Sequence, residues 1–264
     1  MIRPALFALL AGLSTVSGSG FADSTPAPTR TARSSTRLDQ DNTAYNGNFV
    51  FVRLRYRIGG GMGGFGRRGR GDAGWAHDYP YAEQNLTNLI SNLSTVKPGV
   101  IGGNIIDVGD PELHKYPIAY MSEPGYWDMD DQEVANLRAY LLKGGFLIFD
   151  DFPYNAWANF EAQMLRILPE LEPIQLDATH PIFHSFFEIE SLDHLYGSYL
   201  SNQPVFLGYF LENDSKQRML AMVNFQNDLG ESWEIQDRGF SFIPEAANEA
   251  YKFGINYILY GLTH

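Results

Sequence analysis

Residues 137–151 read LRAYLLKGGFLIFDD, and this run limits the possible folds more than any other part of the chain. Val134, Leu137 and Leu141 are spaced as one apolar stripe of a helix. Lys143 suits the negative end of that helix, and Gly144 ends it. Phe146, Leu147, Ile148 and Phe149 follow with no polar alternation, as in a strand buried on both faces. Asp150 and Asp151 come next. Ligands of open α/β sheets sit just beyond the carboxyl ends of strands, so this one run sets a fold class and a candidate site.

The rest of the chain repeats that alternation. Strands are expected over 49–56, 105–108, 117–121, 205–210 and 219–225. Helices are expected from Asp78, as N-cap with Pro80 in the first turn, and over 131–143 behind an Asp130/Glu133 capping box. Two more are expected after Asn155, as cap, and over about 244–260. Strands alternating with helices argue for a three-layer α/β sandwich with a mostly parallel central sheet. With 264 residues, 44% of them hydrophobic, the chain can bury one large core.

The N-terminus reads as a secretory signal peptide over residues 1–22. Arg3 precedes a short apolar run, 5–16, and Gly20-Phe21-Ala22 supplies small residues for cleavage. Residues 23–47, rich in Ser, Thr, Pro and Ala, read as a flexible linker. A single domain then spans 48–264. No second apolar stretch has the length of a membrane span. The expected location is therefore periplasmic or secreted, with no transmembrane anchor in the mature chain.

The net charge of -12 disfavours nucleic acid and anionic membranes as partners. The absence of cysteine excludes disulfides, thiolate metal sites and cysteine nucleophiles. Positive charge is concentrated in Arg53, Arg55, Arg57, Arg67, Arg68 and Arg70. The last three lie in the glycine-rich stretch 59–74 (GGGMGGFGRRGRGDAG), which is too long for a dinucleotide fingerprint. Arg67, Arg68 and Arg70 are read as a loop that closes on an anionic ligand or protein partner.

Three groups of residues could carry chemistry. Glu123, Asp150, Asp151 and Asp228 each follow a predicted strand at one sheet edge. Clustered carboxylates need a cation, a base or a shared proton, so they read as a Mg²⁺ or Ca²⁺ site or a general acid/base pair; the alternative is that they cap the following helices. Trp75, His77, Asp78, Tyr79 and Glu83 mix aromatic, imidazole and carboxylate groups suited to ligand capture. The alternative is that Asp78 caps, Trp75 and Tyr79 pack, and Glu83 sits favourably in a first helical turn. His180 and His184 have the spacing of a helical metal pair, but Pro181 between them argues for a turn. No G-x-S-x-G elbow occurs in the mature chain.

Taken together, Trp75-Ala76-His77-Asp78-Tyr79-Pro80-Tyr81-Ala82-Glu83, Tyr120-Met121-Ser122-Glu123-Pro124-Gly125, Gly144-Gly145 with Phe146 to Phe152, Asn227-Asp228, Trp233-Glu234 and Leu262-Thr263-His264 resemble the bacterial domain-of-unknown-function family 4159. The resemblance implies a flavodoxin-like or class I glutamine-amidotransferase-like sheet, of the trehalose-utilisation type. In that group a His-Pro-Ile segment recurs, as His180-Pro181-Ile182 does here. Some relatives carry the domain in membrane-anchored proteins with von Willebrand A modules, linked to aerotolerance operons. Without cysteine, glutaminase chemistry is excluded. Two functions are then expected: a non-catalytic ligand- or partner-binding domain of the cell envelope, or a carboxylate- or divalent-metal-dependent hydrolase acting on an envelope or carbohydrate substrate. The ligand-binding candidates are Trp75, His77, Asp78, Tyr79, Glu83, Glu123, Asp150, Asp151, His180, Asn227 and Asp228, with Glu123, Asp150, Asp151 and Asp228 as metal ligands.

Overall fold

Strand β1 (Phe49–Arg55) shows how the sheet divides the core. Its side chains alternate between faces: Val50, Val52 and Leu54 enter one apolar cluster, Phe49 and Phe51 the other. A computed structural model describes residues 42–59, 74–193, 203–234 and 244–264. The signal-peptide segment, most of the linker and Arg67, Arg68 and Arg70 lie outside them. Among the described residues no helix is long and apolar enough to cross a membrane.

The remaining strands are β2 (Arg57–Ile58), β3 (Pro98–Asp107), β4 (Ile118–Ser122), β5 (Trp127–Asp128), β6 (Phe146–Phe152), β7 (Ile174–Gln175), β8 (Val205–Phe210) and β9 (Met219–Phe225). Seven form the main sheet in the order β3-β1-β4-β6-β9-β8-β7. From β3 to β9 all neighbours are parallel; β8 and β7 are added antiparallel. β2 and β5 make a small antiparallel pair.

Helices α1 (Tyr81–Leu93), α4 (Leu229–Glu234) and α5 (Pro244–Thr263) supply one core, through Leu86, Ile90, Trp233, Phe253 and Ile258. Helices α2 (Asp131–Leu142) and α3 (Trp157–Ile167) supply the other, through Leu137, Leu141, Phe160 and Met164. The chain is thus a mixed α/β domain with helices on both faces of a mostly parallel sheet. The connection after β1 runs on one face and that after β4 on the other. This puts the switch of winding direction between β1 and β4, where such folds open a crevice.

Local details depart from the expectations. The capping box before α2 is present, with Asp130 accepting from Gln132 and Glu133. Neither Asp78 nor Asn155 caps a helix: Pro80 and Ala156 precede α1 and α3 with no side-chain cap. Asn42 and Thr43, at the end of the expected linker, hydrogen-bond to Ile105 and Asn104 on edge strand β3. β3 is longer than the strand expected from 105–108, and β7 and α4 carried no clear sequence signal.

Candidate metal centre

The site lies at the carboxyl ends of β4, β6 and β9, closed on one side by residues 74–80 ahead of α1. Asp150 and Asp151 are adjacent in β6, so a regular pleat would send them to opposite faces. The register with β9 shifts between Phe149 and Phe152, and Asp151 has φ 61. Such an irregularity re-aims side chains. Asp78 (φ 62), Glu123 (φ 48) and Gln226 (φ 60) share the left-handed conformation. Strained backbone of this kind gathers at functional sites.

Asp151 is the hub. Its Oδ2 lies 2.6 Å from His77 Nδ1 and accepts from Ser122 Oγ at 3.3 Å. His77 Nδ1 is also 3.5 Å from Glu123 Oε1, and His77 Nε2 is 3.8 Å from Asp78 Oδ1. One ligand atom each from His77, Asp78, Asp151 and Asp228 fall within 4.8 Å of one another. The His77 side chain is 40% exposed and Glu123 27%, whereas Asp78 is wholly buried. The cluster therefore has a closed floor and an open mouth.

The hydrogen bond to Asp151 pushes the His77 pKa up to about 9, against the opposing effect of burial; the negative charges of Asp151, Asp228 and Glu123 add to the rise. Burial, reinforced by the charge of Asp151, raises Asp78 and Asp228 well above the usual carboxylate range.

Asp78 is the unusual member. Among the described residues, no N–H or O–H reaches either of its buried carboxylate oxygens. A buried, unsatisfied carboxylate is costly, and a proton or a cation would offset that cost. One imidazole and three carboxylates suit Mn²⁺ or Zn²⁺ better than Ca²⁺, which prefers oxygen alone.

A buried ion pair positions the loop. Arg53, on β1, pairs through Nε with Glu83 of α1. Its Nη1 donates to the carbonyls of Trp75 at 3.0 Å and His77 at 2.7 Å. The guanidinium also lies over the rings of Tyr120 and Tyr79, at 5.0 Å and 5.9 Å. Glu83 thus buttresses the loop, and buried Trp75 contributes its carbonyl. Arg53 was legible only as part of a basic patch, whose members among the described residues are all paired: Arg55 with Asp107 and Arg57 with Glu133.

Asp150 is not brought into the cluster. Its Oδ2 accepts from Tyr120 Oη, Leu229 N and Gly230 N, each at 2.9 Å, so it caps α4. Burial raises its pKa to about 7. Asp228 combines both readings, since its Oδ1 accepts from Glu231 N at 2.9 Å. Glu123 stands at the mouth beside His77, outside the four-residue set. Asn227 is buried, and its Oδ1 accepts from Asp228 N at 3.0 Å.

His180 is elsewhere. Its Nδ1 accepts from Ile182 N, and its ring lies against Phe210 and Tyr260. Phe210 pairs with Met219 at the start of β9, the opposite sheet edge from the site. His184 instead contacts Glu188 and the Ala178 carbonyl. The turn reading of this segment holds, with His180 capping a short 3-10 helix.

A family model described as "Domain of unknown function (DUF4159)" matches residues 50–262. The chain belongs to the DUF4159 family. The match takes in β1 to α5 and every residue of the site. No curated protein matches the chain. For this DUF4159 domain, then, the geometry of the site has to carry the argument for function.

Proposed function

We propose that the chain is an exported, divalent-cation-dependent hydrolase of the cell envelope, its cation held by His77, Asp78, Asp151 and Asp228. The observation that carries this reading is the Asp78 carboxylate, buried with no donor on either oxygen beside three other ligand atoms. The expected signal peptide supports the location. The sheet order and the His180-Pro181-Ile182 segment support an amidotransferase-like variant of the fold without cysteine chemistry.

Catalysis is favoured over binding alone by the open mouth. Structural cation sites are closed by protein ligands, whereas catalytic ones keep a position for water. A bound divalent ion lowers the pKa of its water and supplies a nucleophile, so no Ser or Cys is needed. Glu123, beside His77 at the mouth, would serve as general base toward an attacking water and return the proton to the leaving group as the scissile bond breaks. A cation-bound water would supply the nucleophile that the side chains lack.

The test is thermal unfolding of the protein in EDTA and then in Mn²⁺, Zn²⁺, Mg²⁺ or Ca²⁺, followed by a panel of chromogenic phosphate, acyl and glycosyl esters. An ion at a hundred times its Kd adds about 2.7 kcal/mol, and Asp78→Asn should abolish the gain. No shift with any ion would sink the proposal. A shift without turnover of any ester would leave a cation-dependent binding domain.

A further inference from the structure

Asp78 belongs to two clusters. The first is the set with His77, Asp151 and Asp228; the second joins Asp78 to Glu231 and Glu234, again with one ligand atom from each within 4.8 Å of the others. Both new residues are carried by α4, three positions apart and so on the same helical face. Glu234 is buried and Glu231 is exposed.

The two oxygens of Asp78 face different neighbours. Oδ1 is the one directed to His77, at 3.8 Å. Oδ2 lies against Gly230 in the first turn of α4, where an added β-carbon would stand 2.7 Å from it. Neither oxygen has a donor among the described residues. On the α4 side the Asp78 carboxylate meets the carboxylates of Glu231 and Glu234, and a cation among them would offset their mutual repulsion. Carboxylates that bridge two ions about 3.5–4 Å apart recur in hydrolytic centres, where the ions stabilise the attacking and leaving oxygens.

We infer that the centre is binuclear: Asp78 bridges one divalent cation held with His77, Asp151 and Asp228 to a second held with Glu231 and Glu234. The inference deepens the proposed function and rests on it. Gly230 explains itself in this arrangement, because a larger residue would occupy the space in front of the bridging oxygen.

The experiment is metal counting on the full chain, stripped with chelator, reloaded with Mn²⁺ and desalted, together with electron paramagnetic resonance of the same samples. Two ions per chain and an exchange-coupled spectrum are expected in the wild type. Glu231→Gln/Glu234→Gln should hold one ion with the spectrum of isolated Mn²⁺. Glu231→Gln alone, at an exposed position, gives a check if the double variant does not fold; a weakened second ion is expected there. One ion in the wild type, unaffected by these variants, overturns the bridge and leaves the mononuclear centre standing. Two ions in both the wild type and the double variant place the second ion elsewhere and also overturn it. No bound ion overturns both the bridge and the proposed function.

Discussion

Two neighbouring aspartates illustrate how far identity and spacing can go. Asp150 and Asp151 were both legible as strand-end carboxylates, and both were read as metal ligands. The structure separates them: Asp150 satisfies Tyr120 and the first amides of α4, while Asp151 meets His77. The separation depends on a register shift in β6 that no residue pattern announces. It yields a clean contrast. Asp151→Asn should lose most of the cation-induced rise in Tm, and Asp150→Asn should keep it, because its acceptor role survives in the amide. Asp150→Ala leaves three buried donors without an acceptor and should cost about 3 kcal/mol or more in urea denaturation. Equal loss of the cation response in both Asn variants would show that Asp150 is a ligand after all.

Among elements, the sheet strands were the most legible, since uninterrupted apolar runs such as Phe146 to Phe149 have few other homes. Helix starts were less so. Asp78 looked like a cap by residue type, but its side chain was needed elsewhere, and α1 begins at Tyr81 without a side-chain cap. The α4 turn, six residues with little periodicity, went unread, and with it Glu231 and Glu234. The signal for Arg53 was its place in an otherwise apolar strand, yet its neighbours in sequence made it look like surface charge. Arg53 and Glu83 hold β1, α1 and the loop of His77 together. Arg53→Met should destabilise by about 3–5 kcal/mol, since Glu83 is left buried and unpaired. Adding Glu83→Leu should recover much of that stability. Cation affinity should stay low in both, because the carbonyls of Trp75 and His77 lose their anchor. Normal affinity in the double variant would mean that the loop holds itself.

For the whole molecule, the alternation of strands and helices was enough to give a mostly parallel sheet with both faces covered. It was not enough to order the strands or to find the antiparallel β8 and β7. The site adds a pH dependence to the stability of the entire domain. His77 is raised to about 9 and Asp150 to about 7. Groups raised in this way favour the folded state while protonated. The Asp150 contribution is complete below its ordinary value near 4 and lost as pH rises through about 7. The His77 contribution is complete below about 6.5 and lost through about 9. In EDTA, Tm should therefore fall between pH 5 and pH 9, a range set by these shifts. Saturating Mn²⁺ should flatten or reverse the fall, because departing protons expose ligands. A Tm in EDTA that climbs steadily with pH would contradict this account of the cluster.

The ligands are also spread along the chain in a way that governs when they can meet. His77 and Asp78 follow the first strand, Asp151 ends the sixth, and Asp228 follows the ninth, with only α4 and α5 still to come. A growing or partly folded chain holds fragments of the set and never the set itself. Under the proposed function, ion capture would come late in folding, after the parallel strands have aligned. The metal would then be drawn from whatever compartment the chain occupies when β9 docks, so the route of the polypeptide would weigh on which ion it carries.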